Sequence, residues 1–123
     1  MRLRTDIWIQ ALLRRVYAAG AYGAILKKGE EQAGATLIKI TPLDGTAWVL
    51  SAMWSPEGER EWMTITGPAP VNESEADALL QRQAARDPDI WIVEIEDRQG
   101  RHFLDEKVQE PARKTECSSR PSP

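Results

Sequence analysis

The chain has 123 residues, of which 41% are apolar and 28% are charged, and this composition is that of one ordinary globular domain. Its net charge of -3 argues against a nucleic-acid partner, because binding to a phosphate backbone normally requires an excess of basic residues. No run of about 18 consecutive apolar residues occurs, so the sequence predicts no membrane-spanning helix and no membrane partner.

Two further features predict a cytoplasmic location. The single cysteine, Cys117, cannot form an internal disulfide, which is usual in a reducing compartment. The basic N-terminus has the charge of a secretory signal, but Asp6, Gln10, Arg14 and Arg15 interrupt the apolar segment that such a signal needs.

The first predicted element is an amphipathic helix over Thr5–Ala19. Thr5 or Asp6 can accept hydrogen bonds from the first-turn amides, and Gly20 is placed to end the helix. Apolar residues recur along one face at helical spacing, namely Ile9, Leu12, Leu13 and Val16. We expect this stripe to pack on a sheet.

The period then changes to two, which predicts a four-strand antiparallel meander. Its predicted strands are Tyr22–Lys28, Ala35–Thr41, Ala47–Trp54 and Glu61–Thr66. Asp44 and Gly45 are typical of a tight hairpin turn, and Pro56 with Gly58 is typical of a second turn.

A crossover helix and a further strand complete the predicted fold. The helix spans Glu73–Arg86, and the strand Ile90–Glu96 is apolar on both faces at its start, as in a central or doubly covered strand. After a turn at Gly100, Arg101–Leu104 can pair as a short hairpin return. We therefore predict an α+β fold in a single domain over residues 1–106, followed by a disordered tail over 107–123 that is rich in Pro, Ser and charge.

Three blocks of sequence resemble an uncharacterised bacterial family, domain of unknown function 1491, whose members are small proteins typical of alphaproteobacteria. The blocks are RLRTDIWIQALLRR, IKITPLDGT and DPDIWIVEIEDRQGRHFLDE, and the last is the most specific. The resemblance spans roughly Arg2 to Glu106 and implies a compact intracellular domain. It implies no activity, cofactor or site residue.

The last block contains the best candidates for catalysis. A histidine with nearby carboxylates can hold a divalent metal or act as a general acid–base pair. The candidates are His102, Glu94 and Glu96, with Asp97, Asp105 and Glu106 close by in sequence. The alternative is structural, with the carboxylates solvated along the strand and the histidine at a hairpin corner. No second histidine or usable cysteine is present, so we predict no metal site and no cofactor.

Five tryptophans in a chain of this length are the other unusual feature. Most tryptophans of a folded domain are buried in its core, but the second helix is poor in apolar residues and can cover only part of the sheet. We therefore expect an exposed surface with Trp54, Trp62 and Met53, which has the composition of an interface hot spot.

The sequence thus predicts a small, non-catalytic domain that binds an unknown protein partner, or itself as a homodimer, through a Trp-rich sheet surface. The alternative is a metal-assisted enzyme that uses Glu94, Glu96, Asp97, His102 and Asp105.

Overall fold

The computed structural model describes residues 4–109, which form two helices and a mixed sheet. The helices are α1 (Thr5–Ala18) and α2 (Glu73–Arg86). The strands are β1 (Tyr22–Lys27), β2 (Thr36–Thr41), β3 (Thr46–Trp54), β4 (Arg60–Thr64), β5 (Val71–Asn72), β6 (Trp91–Glu96) and β7 (Val108–Gln109). Neither helix in this range is long and apolar enough to cross a membrane.

The sheet has the order β1-β6-β2-β3-β4-β7, and β5 pairs with the start of β3. Strands β2, β3 and β4 form an antiparallel meander, whereas β6 is antiparallel to β1 and parallel to β2. The predicted α+β class, the N-terminal helix, the crossover helix and the further strand are therefore all present.

The prediction of a four-strand meander is wrong in one respect, since β6 lies between β1 and β2. Strand β6 begins with apolar residues on both faces, so a packed layer is needed on each face to bury them. A buried strand also needs a paired strand at each edge for its backbone hydrogen bonds. Every residue of β2 is buried, whereas most of β1 is at least partly exposed. Strand β6 therefore takes an internal position, and β1 becomes an edge strand.

Two apolar cores lie on opposite faces of the sheet. The α1-side core joins α1 to one face, and its members include Trp8, Ile9, Leu12, Ile38, Trp62 and Trp91. The α2-side core joins α2 to the other face and consists of Leu37, Ala47, Val49, Ala76, Leu80, Ile90 and Ile92. Alternate residues of β6 enter the two cores, which confirms its prediction as a doubly covered strand.

The predicted hairpin return at Arg101–Leu104 does not form a strand. Phe103 has a φ of 61°, a left-handed conformation that an aromatic residue rarely adopts and that interrupts an extended chain. The backbone carbonyl of Phe103 accepts a hydrogen bond of 3.1 Å from Arg15 Nε of α1. The segment from 98 to 107 instead leads to β7, which pairs with β4 in parallel. The sheet thus continues through Gln109, and the rest of the predicted tail lies outside the described residues.

Two glycines allow the loop before β2 to touch the loop before β6. A Cβ on Gly29 would lie 2.2 Å from the carbonyl oxygen of Asp89, and one on Gly34 would lie 2.5 Å from the same atom. The Asp89 oxygen also accepts a hydrogen bond of 2.9 Å from the Glu30 amide. The close approach of these two loops helps to hold β6 beside β2.

Replacing Gly29 with alanine is therefore expected to lower the free energy of unfolding by roughly 1–3 kcal/mol, because the new methyl group meets backbone that cannot move independently. Urea denaturation of the two proteins measures the difference.

Gly23→Ala is the matched control. Its Cβ would meet the flexible end of the Leu13 side chain at 2.7 Å, so the loss should be clearly smaller. Equal losses in the two variants would show that the contact with Asp89 is not the cause.

Candidate functional site

The acidic and histidine cluster predicted near the end of the chain does not converge. Glu94 faces α2, and its Oε2 lies 3.1 Å from the Nζ of Lys39. Asp97 is held by Arg101, with 2.8 Å between Asp97 Oδ1 and Arg101 Nη2. Each carboxylate is thus committed to a cation of the fold.

His102 lies in the segment that follows the turn after β6. Its Nδ1 accepts a hydrogen bond of 2.9 Å from the Leu104 amide, and Leu104 packs against the α1-side core. Glu96 lies two residues beyond Glu94 on β6 and so shares the α2 face. Within residues 4–109 no group of three His, Cys, Asp or Glu side chains could hold a metal ion. The candidates therefore form no metal ligand set within this range.

Lys39 is the centre of the strongest charge cluster in the described part of the chain. Its side chain is 3% exposed in the middle of β2, with Nζ 2.7 Å from Glu73 Oε2 and 2.9 Å from Asp77 Oδ1. Glu73 and Asp77 project from the first turns of α2, and Glu94 is the register partner of Lys39 on β6. The cluster ties α2 to the two central strands.

The Lys39 ammonium remains charged despite its burial. Burial alone lowers the pKa of a lysine, but hydrogen bonds to Glu73, Asp77 and Glu94 outweigh this effect and hold the pKa above its ordinary value. Such a lysine is not a nucleophile at neutral pH, since it keeps its proton.

Asp97 directly follows β6 and has a buried carboxylate. Hydrogen bonds from the Arg101 side chain lower its pKa to about 2, although burial acts in the opposite direction. The Arg101 amide donates a further hydrogen bond of 2.8 Å to Asp97 Oδ2. The pair closes the turn after β6 and leaves the carboxylate unsuited to take up a proton near neutral pH.

The expectation that Trp62 is exposed is wrong. Its ring is fully buried and stacks on Trp8, with 5.5 Å between the ring centroids. Its Nε1 donates a hydrogen bond of 2.8 Å to Glu106 Oε1. Since α1 lies over this part of β4, Trp62 belongs to the core.

Met53 does not share a surface with Trp54. On β3 the residues that face α1 alternate with those that face α2, and Ala52 is paired with the buried Trp62. Trp54 is therefore on the α1 side, where it is 49% exposed, and Met53 is on the α2 side. Of the three residues predicted for one interface, only Trp54 presents a large exposed ring on the α1 side.

A groove of about 940 Å³ lies beside Trp54. Its walls are the start of α1, residues 32–36, the adjoining ends of β3 and β4, and residues 105–107. Asp105, one of the predicted acidic candidates, lies on this wall rather than near Glu94.

The floor of the groove is a stack of aromatic rings and a guanidinium group. Arg60 Cζ lies 4.2 Å from the ring centroid of Trp8, and it lies 5.8 Å and 5.9 Å from those of Trp62 and Trp54. Arg60 Nε donates to Glu106 Oε1 at 3.1 Å, so the guanidinium is held along one edge as well as over a ring. This geometry combines arginine and tryptophan, which are the residues that dominate binding energy at protein interfaces.

Sequence reasoning missed Arg60 and Lys39 as organising residues. A signal for Lys39 is its place between Ile38 and Ile40 in an apolar strand, because a buried lysine needs carboxylate partners. A signal for Arg60 is its place opposite Trp54 across the second hairpin, although Trp8 comes from a distant part of the chain.

The Lys39 cluster predicts a large effect of one substitution. Lys39→Met should reduce the free energy of unfolding by roughly 3–5 kcal/mol, because it leaves Glu94 with two other carboxylates and no cation. The deficit should shrink as the pH falls from 7 toward 4, since protonation of these carboxylates relieves their repulsion.

Denaturant unfolding at several pH values measures this effect, and Lys28→Met is the control. Lys28 is 70% exposed and 4.0 Å from Glu31, so its loss should change stability by less than about 0.5 kcal/mol. A Lys39 variant that behaves like the Lys28 variant would show that the cluster contributes little.

Asp97 predicts a pH dependence of stability. Its pKa is about 2 in the folded protein and about 4 in an unfolded chain, so the folded state favours the carboxylate. The stability that it contributes is complete above the unfolded value and is lost as the pH falls through the folded value. The difference in unfolding free energy between the wild type and Asp97→Asn should be constant above about pH 5 and narrow toward pH 2. A difference that stays constant across this range would contradict the assignment.

Comparisons with known proteins place the fold in a family. The family described as "Protein of unknown function (DUF1491)" matches residues 3–105. A crystal structure of a DUF1491 family protein from Caulobacter crescentus CB15 has a TM-score of 0.81 and 46% identity, covering 88% of this chain and 100% of that one. An NMR structure of a DUF1491 family protein from the same organism has a TM-score of 0.79 and 46% identity, with 89% and 98% covered.

A more distant relative has the same fold. The solution structure of protein Atu0922 from A. tumefaciens has a TM-score of 0.74 and 34% identity, covering 89% of this chain and 98% of that one. Among curated proteins no sequence matches this chain. Because the family match covers most of the chain and the Caulobacter protein is covered along its whole length, the chain belongs to the DUF1491 family of proteins of unknown function.

Proposed function

We propose that this protein is a non-catalytic interaction domain that binds an extended segment of a partner protein in the groove beside Trp54. The observation that carries the proposal is the groove itself, since a tryptophan that is 49% exposed lies at the edge of a volume of about 940 Å³. A volume of this size accommodates a few residues of a peptide. An aromatic ring on a rigid strand is a typical anchor for such a ligand.

The rigidity of the groove supports this proposal. Trp8 and Trp62 are stacked and buried beneath it, and Glu106 fixes Arg60 from the segment that precedes β7. A preformed surface loses little conformational entropy when a ligand binds, so its contacts contribute more of their energy to affinity.

Two other functions, metal-assisted catalysis and self-association, are alternatives to peptide binding. Metal-assisted catalysis by Glu94, Glu96, Asp97, His102 and Asp105 has no assembled ligand set within residues 4–109. A homodimer formed through the same groove is the second alternative, and the test below distinguishes it from peptide binding. A cytoplasmic site of action is part of the proposal, supported by the lone cysteine.

Peptide selection on the full chain tests the proposal. Two libraries of random heptapeptides are used, one displayed within a loop and one with a free carboxyl terminus. Trp54→Ala should weaken binding of the selected peptides by roughly tenfold or more, because it removes the exposed anchor. Fluorescence anisotropy with synthetic labelled peptides measures the affinities.

Tyr22→Ala is the matched control. Tyr22 is an aromatic residue that is 50% exposed on β1, at the other edge of the sheet, so its loss should leave peptide affinity unchanged. The proposal fails if no peptide binds, or if the two variants weaken binding equally. A dimer in light scattering that Trp54→Ala converts to a monomer would assign the groove to a second copy instead.

A further inference from the structure

Arg60 is held in place on two sides. Trp8 lies under the guanidinium plane, with 4.2 Å from Cζ to the ring centroid. Glu106 accepts from Nε through both carboxylate oxygens, at 3.1 Å and 3.4 Å. The side chain is 18% exposed, so the arginine is largely enclosed yet reaches the groove. Its position therefore does not depend on a ligand.

The two terminal nitrogens of Arg60 donate to none of the acceptors in residues 4–109. Neither nitrogen is buried away from solvent without a partner. Among residues 4–109 only Arg15 Nη2 is such an atom. A guanidinium carries five N–H donors, of which one here is used by Glu106. The end-on pair of nitrogens matches the two oxygens of a carboxylate, which arginine binds through two parallel hydrogen bonds.

The lining of the groove carries charges of both signs. Glu61 lines the groove but belongs to the α2 face, where its Oε1 accepts from Gln109 Nε2 at 2.7 Å. The other ionisable residues of the lining are the cations Arg4, Arg60 and Lys107 and the anions Glu59, Asp105 and Glu106. With Glu61 included, the lining holds three cations and four anions, and Arg4 is itself paired with Asp6 and Glu31. A carboxylate at Arg60 is therefore held by direct hydrogen bonds to Nη1 and Nη2 rather than by a positive field of the groove.

We propose that Arg60 recognises a carboxylate of the bound segment, so that the partner of this domain is an acidic peptide with an apolar side chain next to its acid. Nη1 and Nη2 of Arg60 bind the carboxylate oxygens, and the apolar side chain packs against Trp54. The proposal rests on the function proposed for the groove and adds the chemistry of its ligand. The carboxylate comes either from an Asp or Glu side chain or from a chain terminus.

The test uses the tightest-binding heptapeptide from the selection as its probe. Synthetic versions carry Asn or Gln in place of each Asp or Glu, or an amidated carboxyl terminus, and each is titrated against the wild-type protein. One of these changes should weaken binding by about tenfold or more, because it removes one partner of a charge-assisted pair. Whether the side-chain or the terminal change has this effect identifies the source of the carboxylate.

Arg60→Lys shows whether the effect belongs to this residue. Lysine keeps the charge but lacks the planar pair of donors, so the same neutralisation should cost the variant less than about threefold in affinity. Near-ultraviolet circular dichroism, which reports on the stacked tryptophans, confirms that the variant is folded. The titrations of the wild-type protein do not depend on this variant.

The outcomes separate the two proposals. If peptides bind in a Trp54-dependent manner but neutralising every carboxylate changes affinity by less than about threefold, the carboxylate proposal fails and the interaction domain stands. If neutralisation weakens binding equally in the wild type and in Arg60→Lys, the carboxylate is bound elsewhere and the role of Arg60 is overturned. If no peptide is selected, both proposals fail.

Discussion

The arrangement of the sheet follows from the need to bury both faces of β6. The side chains of Trp91, Val93 and Ile95 enter the α1-side core. Those of Ile92 and of Ile90, which directly precedes the strand, enter the α2-side core. A strand of this kind is stable only with a helix layer on each face and a paired strand at each edge. Helix α1 and helix α2 supply the layers, and β1 and β2 supply the edges.

Charged residues in this fold act mainly as structural ties. Lys39 joins α2 to the central strands, and Asp97 with Arg101 closes the turn that follows β6. Glu94 of the first group and both residues of the second lie in the stretch of sequence that is richest in acids, which explains why that stretch resembles a catalytic cluster before its contacts are known. The groove lies apart from them on the α1 side, where Arg60 is braced by aromatic rings and one glutamate.

Most elements of the fold could be predicted from the sequence, but the strand order could not. The helices and the longer strands follow from local periodicity and turn residues, so their existence is visible in short windows. The insertion of β6 between β1 and β2 depends on contacts between residues far apart in the chain. No short window holds this information.

The candidate site was harder to predict than the fold. Trp54 and Trp62 lie on the same face of adjacent strands, yet one is 49% exposed and the other is fully buried. Alternation identifies the face of a residue, but it does not reveal which part of that face α1 covers. The prediction that the acidic residues form one site was wrong for a related reason. The partners of Glu94 come from β2 and α2 rather than from neighbours in sequence.

The position of β6 in the sheet also bears on how the chain is made. Strand β6, which lies between β1 and β2, is delivered by the ribosome after α2, when both of its neighbours have already been synthesised. Until β6 arrives, β1 has no strand beside it and one edge of β2 is open, so the growing chain exposes sheet edges and apolar surface. The domain therefore assembles from contacts of long sequence separation, including a parallel pair, which places it among slowly folding topologies. A nascent chain that ends before Trp91 has the strands of a meander but lacks the central strand that unites its two cores.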